Sequence, residues 1–352
     1  MPLSDLWALE MLVAAFAGGA FGAAIGALPS FALAGVMVIV GEVYAMLHRG
    51  LGTAAPVDLT GTVAFGAVLG PHVAFGGGAA ALAYAARRGD LDTDFAYHEA
   101  KHVTRGLGSR PDVLAVGGVF GIVGYWLATA SGALGVPTDP VALGVVGSAL
   151  LHRAAFGYSV VGAPVGDWLD MTPYERGERR EATAGPAVAD TGDDRYTVEP
   201  WLPYQYRWGN VLALGAVVGV LGGYLAYLTG SAFLGFGISV AALVFLNAEV
   251  AQIPVTHHIS LPASTAVVAS AGGGPLAPSA VAAAVPLHEA LALGAVFGVV
   301  GALLGELLQR VLYAHAETHL DPPAASIVVT SVLIAGLAGL AVLPSAAWIP
   351  TP

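Results

Sequence analysis

Two glutamates and three histidines stand in the least polar parts of this sequence. Glu42 lies in FALAGVMVIVGEVYAML, Glu249 in AALVFLNAEVAQIP, His72 directly after Gly70-Pro71, and His257-His258 just after Pro254. An ionised carboxylate deep in hydrocarbon costs on the order of 3 kcal/mol or more, so it faces a bundle interior and has a partner or a task. A helix broken inside a bilayer frees N–H and C=O groups, which is tolerated only against protein or a watery cavity. Pro71, His72, Gly76 and Gly77 therefore read with His257 and His258 as two matching breaks around a polar site. Glu42 and Glu249 read as carboxylates that serve it by binding a proton or Na⁺. The plainer alternative makes both breaks surface loops and Glu42 an interfacial residue near His48.

A second constellation is His98-Glu99-Ala100-Lys101-His102, an HExxH match. On a helix it would set two imidazoles on one face as zinc ligands, with Glu99 as base. It resembles the zinc metalloprotease signature over five residues only and carries charged Lys101 at a normally uncharged place. It also sits in a polar loop with no clear third ligand. His315, Glu317, His319 and Asp321 alternate imidazole and acid, a weaker metal pattern. The sequence names no cofactor.

The segments that must position these groups are apolar. Of 352 residues 56% are hydrophobic and 11% charged, where soluble domains carry about 25% charged residues. Runs of about 20 apolar residues recur, the length that crosses a bilayer as helix. The expectation is an all-α polytopic membrane protein, multi-pass in the cell membrane and in contact with lipid. Ten segments are expected, at about 8–27, 31–47, 63–86, 112–134, 141–163, 209–229, 233–252, 254–273, 287–313 and 324–343. The count falls to eight if the third and eighth re-enter. The chain has no cysteine, and its net charge of −11 argues against nucleic acid, which needs a basic face. Twelve of thirteen basic residues are arginine. An acidic surface almost free of lysine suits a halophilic source such as a high-salt archaeon.

Four segments repeat one text. A polar residue (Glu10, Asp112, Asn210, Glu289) opens each, and glycines follow at Gly19 and Gly22, Gly121 and Gly124, Gly219 and Gly222, Gly298 and Gly301. Small residues at this spacing share a helix face and let backbones approach, the usual glue between helices in lipid; they also leave homo-oligomers open. The four polar residues are expected to cap helices. Asp139-Pro140 and Asp321-Pro322 open another matching pair, each Asp suited to cap a helix that begins with Pro. The repeats divide the chain into 1–165 and 209–352, two five-segment halves, around an acidic connector, 166–208. An odd number of crossings per half inverts the second against the first.

The stretches AFAGGAFGAAIGALPSF, GPHVAFGGGAAALAYAARRG and PDVLAVGGVFGIVGY resemble a permease-like group of prokaryotic multi-pass membrane proteins. The likeness covers most of the first half and implies a membrane protein without supplying a substrate or a site residue. The resulting expectation is a transporter or channel for a small solute or ion, with its site near the midplane where segments three and eight break. A membrane zinc hydrolase using His98, Glu99 and His102, and a structural or assembly subunit without a pathway, are the alternatives.

Overall fold

The computed structural model describes residues 3–91, 95–179 and 195–351. Among them the fold is helical, with no strand beyond one isolated bridge between Arg179 and Tyr196. The first group of α-helices is α1 (Leu9–Ile25), α2 (Ala27–Gly50), α3 (Ala74–Arg87), α4 (Pro111–Ala133) and α5 (Pro140–Ala155). The short α6 (Thr172–Glu175) lies in the connector. The second group is α7 (Trp208–Thr229), α8 (Leu234–Ala241), α9 (Leu243–Asn247), α10 (His257–Ser270), α11 (Pro278–Ala284), α12 (Leu287–Leu312) and α13 (Pro322–Gly339). Five of these, α2, α4, α7, α12 and α13, are long and apolar enough to cross a membrane. Large apolar side chains such as Val217, Val296, Val119 and Leu47 point outward from them. That is the build of a membrane protein.

Glycine sets the helix contacts. A Cβ on Gly19 would meet the Gly117 carbonyl at 2.1 Å, and one on Gly219 would meet the Gly294 carbonyl at 2.3 Å. So α1 lies backbone to backbone on α4, and α7 on α12. The short helices fill the groove of each pair in the same register. Gly22 faces the carbonyl of Ala74 and Gly124 that of His72; Gly222 faces that of Ser260 and Gly301 that of His258. This places α3 against α1 and α4 as α10 stands against α7 and α12, and it pairs His72 with His258 and Pro71 with His257. Between the groups, α2 packs on α8: Gly35 receives Val240, and Gly237 receives Val38. The reciprocal fit pairs Gly35 with Gly237 and Phe31 with Phe233.

Both breaks are real interruptions. Segment three is a π-helical turn (Thr60–Ala64), irregular turns, and then α3; segment eight becomes helical only at His257. Each regular helix is 14 residues long, about 21 Å at 1.5 Å per residue, against roughly 30 Å of hydrocarbon. Gly76 and Gly77 fall inside α3 and not at its break. Gly77 lies at the crossing of α1, α3 and α4, where a Cβ would come within 2.5 Å of the Gly117 carbonyl. Asp139 and Asp321 cap α5 and α13 as expected, accepting from Val141 and Ala142 and from Ala324. Glu10, Asp112 and Glu289 do not cap: the cap positions are Ala8, Arg110 and Pro286, and the acids sit in the first turn. There they still face the positive end of the helix dipole.

The loops divide between two ends. At one, here the first end, Tyr125 donates to the Asp5 carbonyl and Ser231 donates to Glu42, and Gly230 abuts Leu276. At the second end the described parts of 88–110, 156–207, 248–256 and 313–320 are knitted together. Leu107 N–H donates to Ala23, Glu199 N–H to Ala314, and His319 N–H to Ala100. Gln205 bonds Val255 through both its amide groups. The middle of the connector, with Arg180, lies outside the described residues.

Candidate functional site

Four helix N-termini end on one central cavity of about 160 Å³. Its walls come in matched pairs: Phe31 and Phe233 from α2 and the turn before α8, Phe75 and Leu261 from α3 and α10, Ala142 and Ala324, and Val145 and Ile327 from α5 and α13. Asp139 and Asp321 form a further pair. The last pair is unlike, because Pro71 faces the cavity from one side and His257 from the other. The cavity is mainly aromatic and aliphatic, and its polar groups are the two capping carboxylates and one imidazole. Capping uses Oδ1 of Asp139 and Oδ2 of Asp321. Among the described residues Oδ2 of Asp139 has no protein partner. The positive helix ends offset the cost of holding carboxylates here.

Two larger cavities, about 410 and 420 Å³, flank it toward the first and second ends. The first vestibule shares Phe65, Phe233 and Trp348 with the central cavity. These rings form a neck, with Phe65 to Phe233 at 5.4 Å and Phe233 to Trp348 at 5.1 Å between centroids. The second vestibule shares His257 and Asp321. Here His257 is wedged edge-on between Phe31 and Phe236, at 5.1 and 5.7 Å. The three cavities thus adjoin through shared lining residues, an aromatic neck on one side and an imidazole–carboxylate neck on the other.

The structure brings some of the sequence-derived residues to this line and not others. Pro71 and His257 face the central cavity. Glu42 lines the first vestibule, where it accepts from Thr60 Oγ1 at 2.8 Å and Ser231 Oγ at 2.6 Å. His72 and His258 are buried on the far sides of their helices, against Gly70 and Gly305. Gly76 and Gly77 serve packing. Glu249 is exposed on a turn at φ 59 near His102, at the second end. It is not the counterpart of Glu42: the α2–α8 register sets Val244 in that place. Arg153, which as a buried cation should need an acid or water, is instead held by Thr318 Oγ1 and the carbonyls of Val160, Leu312 and Thr318. Glu306 pairs with Arg310 one helical turn on, at 2.6 Å.

The HExxH match does not form the expected helix. Only Glu99–Lys101 is helical, as a 3₁₀ turn, so the two imidazoles do not share a face. His98 Nδ1 lies 2.8 Å from Glu199 Oε1, Lys101 Nζ 2.6 Å from Glu199 Oε2, and His102 stacks on Phe95 at 4.4 Å. Among the described residues no group of three or more histidines and acids could hold a metal ion. His315 meets the Trp168 carbonyl while His319 meets Asp321, so that run diverges as well. The cluster is an anchor for the connector. Burial raises the Glu199 carboxyl, but Lys101 and then His98 outweigh it and hold it down at about 2.

A family model matches residues 1–352, that of a family of unknown function, DUF7973. The chain belongs to this family. No curated protein and no solved structure matches it. The description carried by DUF7973 states no activity, so the reading of the site rests on its geometry.

Proposed function

We propose that this DUF7973 protein is a multi-pass transporter or channel of the cell membrane, passing a small solute or ion along the three serial cavities. The observation that carries this reading is the sharing of lining residues: Phe65, Phe233 and Trp348 at one neck and His257 and Asp321 at the other. In this reading α1–α5 and α7–α13 are inverted copies. The broken segments before α3 and α10 each complete a crossing, which gives ten passages, and their N-termini meet at the midplane as in other inverted-repeat carriers. Every described lysine and arginine except Arg49 falls at or near the second end, so that end faces the cytoplasm by the positive-inside rule.

The chain has no cysteine, which makes thiol labelling clean. In proteoliposomes, a membrane-impermeant methanethiosulfonate reagent is expected to modify Ala45→Cys in the first vestibule and, more slowly, Ala142→Cys in the central cavity. Ala54→Cys, exposed, should react fastest, and Val217→Cys, facing lipid, should not react. If Ala142→Cys and Ala324→Cys both resist reagent from either side while Ala54→Cys reacts, the pathway is refuted and a structural subunit is the better reading.

A further inference from the structure

We propose that Asp321, His257 and His319 form a proton-binding station at the neck between the central cavity and the second vestibule, and that its occupancy governs passage. The proposal rests on the pathway reading above and names the coupling ion. His319 Nε2 stands 3.5 Å from Asp321 Oδ1, and His257 shares both cavities' walls with Asp321. Both rings are 2% exposed, and each leaves Nδ1 buried without a partner among the described residues. Burying a polar nitrogen unpaired is costly, and most such groups in folded proteins find partners. Two of them beside one carboxylate, where the central cavity and the second vestibule share their walls, are poor packing material. They are good carriers of a proton, since imidazole is the side chain that changes charge near neutral pH.

The asymmetry between matched positions points the same way. Asp139 and Asp321 do the same capping work, but the residues beside them differ. Pro71 stands where His257 stands, and two places before each Asp-Pro pair Pro137 stands where His319 stands. One carboxylate of the pair has therefore kept only its cap, while the other has gained two imidazoles. A hard cation such as Na⁺ prefers a shell of oxygens, which this neck does not offer. Among the described residues Asp321 is also the only acid lining the second vestibule. The surrounding charges are accounted for. Lys101 and Arg153 act on His319 from the loop before α4 and from α5, Lys101 with Glu199 beside it and Arg153 within its carbonyls. His152 and Tyr313 also face His319, His258 stands 6.0 Å from His257, His102 lines the same vestibule, and Asp139 lies across the cavity.

The test uses full-length protein in detergent with ¹⁵N-labelled histidine rings, the two resonances being assigned by their loss in His257→Gln and His319→Gln. Both rings, followed from about pH 8 to about pH 4.5, are expected to take up a proton on acidification. Asp321→Asn, which can still cap α13, should move both midpoints down by about one unit or more because the imidazolium loses its counter-charge. Asp139→Asn should move neither. In parallel, labelling of Ala142→Cys, normalised to Ala54→Cys, should change at least threefold across the same pH range, and this change should vanish with Asp321→Asn. Rings that stay neutral to about pH 4.5, or midpoints indifferent to Asp321→Asn, overturn the station. If Ala142→Cys is labelled in that same protein, the pathway survives the loss; if it is never labelled, the pathway is what fails.

Discussion

Glu199→Gln is expected to destabilise the protein by about 3–5 kcal/mol, the cost of breaking a buried ion pair from one side. Glu199 and Lys101 have fully buried side chains. Both carboxylate oxygens are used, one by the ammonium and the other by the ring and backbone N–H of His98. Glutamine keeps the shape but leaves the Lys101 charge, lying over the Tyr313 ring, without the carboxylate beside it. The same residue sets an acid limit. Its carboxyl is held down at about 2, below its value of about 4.3 in the unfolded chain. The unfolded state therefore takes up the proton first. The stabilisation is complete above about pH 5 and is lost as pH falls toward 2. Thermal unfolding in detergent should show a steep loss below about pH 4 in the wild type and a shallower one in Glu199→Gln. Equal acid slopes in the two proteins would contradict this.

Gly124→Val is expected to abolish recovery of a monodisperse folded protein. A Cβ there would stand 1.7 Å from the His72 carbonyl. Ordinary overpacking costs about 1–3 kcal/mol because side chains can yield. Here the obstacle is backbone, and it is the break that opens the central cavity. Gly301→Val, against the His258 carbonyl at 2.3 Å, should fail in the same way. Gly336→Ala, whose Cβ would meet nothing within 4 Å, should be neutral or gain up to about 1 kcal/mol, as alanine for glycine does inside a helix. Size-exclusion profiles of the three variants decide the matter. A well-folded Gly124→Val would show that α4 does not lie on the segment-three break.

Much of the architecture was legible because helix packing in lipid leaves a written trace. The glycine spacing in the four repeated segments is the contact surface itself, and the Asp-Pro pairs are caps. The two breaks could be placed because proline and glycine clusters are rare inside apolar runs. What the text could not supply was rotation and register. Successive residues of a helix point about 100° apart, so His257 faces the cavity while His258 faces away, and no composition distinguishes them. Glu42 and Glu249 both read as carboxylates of one site because alanine- and valine-rich text aligns in several registers; only the fit of α2 on α8 at Gly35 and Gly237 fixes one. The neck of Phe65, Phe233 and Trp348 joins three distant segments through ordinary hydrophobic positions. Glu199 lies in the connector about a hundred residues beyond His98, where spacing says nothing. One signal was available: with the register known, the exchange of Pro71 and Pro137 for His257 and His319 stands out beside the two aspartates.

The seam between α2 and α8 has a last consequence. Each helix offers a glycine notch to the other's valine, Gly35 to Val240 and Gly237 to Val38, so the joint is its own reverse. If the two bundles tilt about such a joint as the proposed transport reading requires, a tilt toward one membrane face reproduces, with partners exchanged, the tilt toward the other. Two postures related in this way have equal free energy up to the side chains in which the bundles differ. Under the transport reading proposed above, the resting preference for one open face over the other would be set by a few unmatched residues, and substituting those, with the bearing left intact, would reset it.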